Sequence, residues 1–194
     1  MGALLLTTAC SIETDKKGSG DSDNVKISTP FGGMQVNANS IDAASVGLPA
    51  YPGATLLKKK ETGEDGSVDL HMGFGPWQMR LKVASYETPD AQDKVIAFYR
   101  SALSKSGDVV ECSGNNPIGK PVETSEGLSC SDHDTGGSTK WNKSGVNIND
   151  NDVELKTGSR HRQHIVGFKQ VHGLTHISLI ALELPNTDKD QETN

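Results

Sequence analysis

The stretch Val68-Asp69-Leu70-His71-Met72-Gly73-Phe74-Gly75-Pro76-Trp77-Gln78-Met79-Arg80-Leu81-Lys82-Val83 decides the fold. Val68, Leu70 and Met72 alternate with polar neighbours, and Gly73-Phe74-Gly75-Pro76 turns the chain. Trp77, Met79, Leu81 and Val83 then resume the alternation. Successive strand residues point to opposite faces, so period-two patterning on both sides of a Gly/Pro turn predicts antiparallel strands with one buried face.

Upstream, Val25-Lys26-Ile27 and Met34-Gln35-Val36 flank Thr29-Pro30-Phe31-Gly32-Gly33, which predicts an N-terminal β-hairpin. Ser40 is placed to cap one or two helical turns reaching Val46, and residues 55–59 read as a strand. Downstream, Thr88 suits an N-cap and Pro89 the first helical position, where a missing N–H costs nothing. Ala91, Val95, Phe98 and Ala102 recur at helical steps, Tyr99 and Leu103 widen the stripe, and Gly107 ends it. Residues 108–112, 128–131, 153–157, 164–170 and 175–184 read as strands, with His172-Gly173 turning the last pair. The expected architecture is α+β: a mainly antiparallel sheet, one principal helix packed across it, and the N-terminal hairpin.

Hydrophobic residues make up 34% of the 194-residue chain, below the roughly 45–50% of ordinary globular domains, which predicts a modest core with long polar loops. The net charge is −6 and no basic run exceeds Lys58-Lys59-Lys60, itself expected to be a solvated strand end. Binding nucleic acid needs a basic surface to displace counterions, so that class is excluded.

The small apolar run Gly2-Ala3-Leu4-Leu5-Leu6-Thr7-Thr8-Ala9 ends directly before Cys10. It resembles the lipobox of bacterial lipoproteins, in which the cysteine thiol receives a diacylglyceryl group. No Lys or Arg precedes the run, and Thr7 stands where Leu is usual; a start further upstream would supply the charge. The competing reading is a frayed terminus with a chance cysteine. With Cys10 set aside, Cys112 and Cys130 remain as a pair for a disulfide, which persists only in an oxidising compartment; two buried free thiols are the alternative. The expected organisation is a lipoprotein signal over 1–10, a flexible tether over 11–24, one α+β domain over 25–184 and a disordered tail over 185–194. No other segment approaches the roughly 18 apolar residues of a spanning helix.

Gly47-Leu48-Pro49-Ala50-Tyr51-Pro52-Gly53-Ala54, then Tyr86-Glu87-Thr88-Pro89-Asp90, then Val95-Ile96-Ala97-Phe98-Tyr99-Arg100, form a recognisable series. It resembles a family of secreted or lipid-anchored proteins of unknown function in soil bacteria such as Acidobacteria. The resemblance implies location and fold, and no reaction.

Chemistry-bearing residues are few. His161 and His164 are three apart and His172 and His176 four apart, but in strand-like sequence neither spacing aims two imidazoles at one ion. Asp132-His133-Asp134 has metal-ligand or base-and-carboxylate types beside a Gly-rich loop, where solvated polar residues are ordinary. The Asx-rich run over 147–152 lacks the glycine of an EF-hand, no Gly-x-Ser-x-Gly elbow exists, and neither glycine pair has a phosphate loop's lysine. Trp77 fits the core; Trp141, in a polar loop, is the candidate exposed contact. The expectation is therefore an extracytoplasmic lipoprotein on the outer-membrane or periplasmic face, without a cofactor, serving as a binding or structural module. Its partners would be the membrane, through the lipid, and an envelope protein or glycan. The alternative is a metal-dependent or hydrolytic envelope enzyme using His133, His161 or His164.

Overall fold

The computed structural model describes residues 11–16, 23–38, 41–57, 66–131 and 153–185. Eleven strands and two helices follow one another in the order β1 (Ser11–Lys16), β2 (Asp23–Thr29), β3 (Gly32–Ala38), α1 (Ala43–Val46), β4 (Thr55–Leu56), β5 (Val68–Phe74), β6 (Trp77–Thr88), α2 (Gln92–Leu103), β7 (Val110–Ser113), β8 (Asn116–Pro117), β9 (Val153–Gly158), β10 (Arg162–Val171) and β11 (Leu174–Glu183). They form one antiparallel sheet in the order β1-β2-β3-β5-β6-β11-β10-β9-β7-β8, with β4 beside the end of β6.

The deciding stretch is the β5–β6 hairpin, with Met72 opposite Met79 and Val68 opposite Val83. Because cross-strand partners share a face, the register sorts the core. Ala84, Tyr86, Val166, Phe168, Ile177 and Leu179 lie on one face, in a cluster with Ala43 and Val46 of α1 and Val95, Ile96, Tyr99 and Leu103 of α2. Val83, Ile165 and Ile180 lie on the other, joined in register by Lys156 and Val110. Cys112, on that second face, is bonded to Cys130 with an S–S distance of 2.01 Å. The bond, with Val110, forms a small buried cluster of its own.

Several local expectations shift. Ser11–Lys16, expected as part of a tether, is a strand paired with β2, with Ile12 opposite Ile27 and Thr14 opposite Val25. β-Branched residues at alternate positions suit a pleated edge, and this outweighed the polar composition around them. Thr88 does not cap α2: it ends β6 opposite Thr175, and the helix begins after Ala91, which offers no side-chain cap. Pro89, Asp90 and Ala91 carry the chain out of the sheet before the helix begins. α1 is capped by Asp42, whose carboxylate accepts from the Ser45 amide at 2.8 Å; Ser40 and the triplet 58–60 lie outside the described residues. Residues 128–131 form no strand, and of them only Ser129 makes an isolated bridge, to Glu123; the disulfide draws Cys130 onto the sheet's face instead of its edge.

Candidate functional site

Of the residues singled out in the sequence, Cys10, His133 and Trp141 lie outside the described residues. His164 is in β10, and its Nε2 sits 3.2 Å from the Val46 carbonyl oxygen at the end of α1. It holds that short helix to the sheet. His161 is in the turn before β10, its carbonyl accepting from the Leu184 amide at 2.8 Å. The two therefore serve different places; His161 lies in the turn rather than in a strand, so the three-residue strand step does not apply to the pair. His172 occupies the β10–β11 turn with φ 50°, a left-handed conformation, and His176 in β11 stands 3.7 Å from Glu87. Among the described residues no three His, Cys, Asp or Glu side chains gather as a metal site requires.

What the sheet does assemble is a polar row. His71 pairs with Arg80, Arg80 with Glu183, and Glu183 with Arg162, placing one side chain from each of four adjacent strands on one face. The row lies on the face that carries α1, beyond the point where Lys82 donates to the Ser45 carbonyl at 3.1 Å. Two shallow depressions sharing Gln78 and Glu183 run along it, one bordered by His71 and Arg80 and the other by His161, Arg162 and Ser159. Among the described residues neither Arg80 nor Arg162 joins an ion pair. The rim is shaped by Gly158, where an added Cβ would stand 2.2 Å from the Arg162 carbonyl oxygen. Only glycine fits that approach at φ 102°. Sequence reasoning missed this row because each member is an ordinary polar strand residue; only register makes them neighbours.

A second cluster accounts for the motif series. The Tyr51 hydroxyl donates to Asp90 Oδ2 at 2.6 Å, and Lys94 Nζ donates to the same oxygen at 2.8 Å. The Thr175 hydroxyl donates to the Asp90 carbonyl at 2.7 Å, tying the turn to β11. Tyr51 also packs edge-on against Phe98 of α2. The Leu-Pro-Ala-Tyr strap and the Thr-Pro-Asp turn are thus two halves of one latch. Hydrogen bonds from Lys94 and then Tyr51 lower the Asp90 pKa, while the bond to Asp90 raises those of Tyr51 and Lys94. Because the folded Asp90 pKa is depressed, its stabilisation is complete above the unfolded carboxylate value of roughly 3.9 and fades as pH falls through the folded value. Asp90→Asn should lower the melting temperature at pH 7 and flatten its acid-side decline. An unchanged thermal melt between pH 3 and 7 would rule out the latch.

Compared with family models, curated proteins and solved structures, the chain matches none. Its functional reading therefore rests on its own residues.

Proposed function

We propose that the protein is an extracytoplasmic lipoprotein, acylated at Cys10, whose α+β domain is a non-catalytic binding or structural module of the cell envelope. In this reading α2 is the principal helix lying across the sheet, and the module meets an envelope protein or glycan. The observation that carries the proposal is the Cys112–Cys130 bond, which persists in an oxidising compartment and not among cytosolic reductants. With those two sulfurs paired, Cys10 is the one remaining cysteine, directly after a small-residue run. An enzymatic use of His164 would require it to leave the Val46 carbonyl.

Cys10→Ser should move the protein from the membrane pellet to the soluble fraction, with a loss of bound protein on the order of tenfold or more, since acyl chains dominate such binding. The variant should show no reactive thiol on denaturation. Unchanged partitioning, or two titratable thiols, would remove the proposal.

A further inference from the structure

The register of the N-terminal strands places three separate features at one end of the sheet. Ser11 lies opposite Ser28, one residue from the β2–β3 turn that presents Phe31, 82% exposed. Gly32, next in the chain, lies opposite Phe74, and Phe74 lies opposite Trp77 across the β5–β6 turn. Phe74 is 52% exposed, and its ring centre is 6.0 Å from that of Trp77. Phe74 also covers Gly32, where an added Cβ would meet its ring at 2.6 Å. Two hairpin tips at this end of the sheet therefore carry exposed aromatic rings, Phe31 on one and Phe74, packed on the half-buried Trp77, on the other. Bulky exposed aromatics gathered at one edge mark an interaction surface rather than chance exposure.

Ser11 is the first residue of β1 and stands at this end of the sheet, and Cys10 directly precedes it in the sequence. The expected tether would have released this constraint; β1 imposes it. In the lipoprotein reading, the fatty anchor is attached one residue before a strand that begins at the end of the sheet carrying these tips. Behind the tips, on the opposite face, comes the polar row. Arg80 is three residues along β6 from Trp77, roughly 10 Å at strand rise, and Arg162 lies two strands from Arg80, again about 10 Å. A bilayer's hydrocarbon core is about 30 Å thick within a total of about 40–45 Å, so each headgroup layer is several ångströms deep. Aromatic rings favour that boundary, and guanidinium groups favour phosphate just outside it. The spacing of aromatic tip and arginines matches that order.

We infer that this end of the sheet rests on the lipid bilayer: Phe31, Phe74 and Trp77 enter the interface, and Arg80 and Arg162 face lipid phosphates, fixing the domain's orientation. The inference rests on acylation of Cys10 and adds to it a second membrane contact made by the folded domain. The rest of the domain, including the Tyr51–Asp90 latch, then faces away from the lipid.

The full chain carries two tryptophans, Trp77 and Trp141, so Trp141→Phe leaves Trp77 as the sole reporter. Purified from membranes and returned to phosphatidylethanolamine–phosphatidylglycerol vesicles with brominated acyl chains, this variant should lose about half or more of its emission, as an interfacial indole does. Adding Phe31→Ser and Phe74→Ser should restore most of that emission while the protein still sediments with the vesicles. Should Trp141→Phe disturb folding, the same comparison of wild type with Trp77→Phe isolates the signal. An acylated protein that sediments yet shows no quenching of Trp77 overturns the inference and leaves the lipoprotein reading standing. A mass spectrum with unmodified Cys10 removes both. A concentration-dependent dimer that protects Trp77 equally with and without vesicles assigns the surface to a second copy and overturns the bilayer.

Discussion

Lys156→Met should destabilise the domain by about 3–5 kcal/mol, the usual cost of breaking a buried ion pair by removing one partner. Lys156 and Glu154 are both fully buried on β9, with Nζ 3.6 Å from Oε2. Lys156 also donates to the Cys130 carbonyl at 3.1 Å, so its ammonium bridges the sheet and the disulfide-tied segment. Methionine keeps most of the apolar stem and removes the charge, taking from the buried Glu154 carboxylate the cation 3.6 Å away. For a chain of this size a loss of that order corresponds to a fall in melting temperature on the order of 10 °C. The double variant Lys156→Met/Glu154→Leu should recover most of the loss, because an apolar pair avoids the desolvation of both ions. Denaturant unfolding followed by circular dichroism measures both. A single variant within about 1 kcal/mol of wild type, inside the range of ordinary surface pairs, would mean that the pair is solvated.

Removing the disulfide by Cys112→Ala with Cys130→Ala should cost about 2–5 kcal/mol. The sulfurs close an 18-residue step, for which the loop-entropy model gives about 3 kcal/mol, and both cysteines are buried. The remainder comes from the segment itself, which lays Cys130 over Cys112 and Val110 and brings its carbonyl to Lys156. The two perturbations share that carbonyl, so their effects should not add: combining them should cost measurably less than the sum. Strict additivity would show that Lys156 and the disulfide act independently. Reduction of the wild-type protein under mild denaturant should reproduce the alanine pair's unfolding midpoint.

Much of the sheet was legible from periodicity alone. The β5–β6 hairpin, the β2–β3 hairpin and the three final strands fall close to where alternation put them, because burying one face of a strand imposes period two on its residues. The pairing of Cys112 with Cys130 was legible from elimination. Helix and strand ends were less so: Thr88 has the chemistry of a cap but is held in β6 by Thr175, and tertiary pairing overrode local preference. Ser11–Lys16 was hidden by its composition, since a polar edge strand buries too little to announce itself.

By itself the sequence determined a mostly antiparallel sheet and the pairing of Cys112 with Cys130, both of which depend on residue type and short-range period. The tertiary structure alone decided which residues meet. His71, Arg80, Glu183 and Arg162 come from four strands, and the hairpin tip that carries Phe31 lies at the same end of the sheet as Phe74 and Trp77. The reason is that cross-strand register is set by turns and by the burial of the whole sheet, and no local pattern contains it.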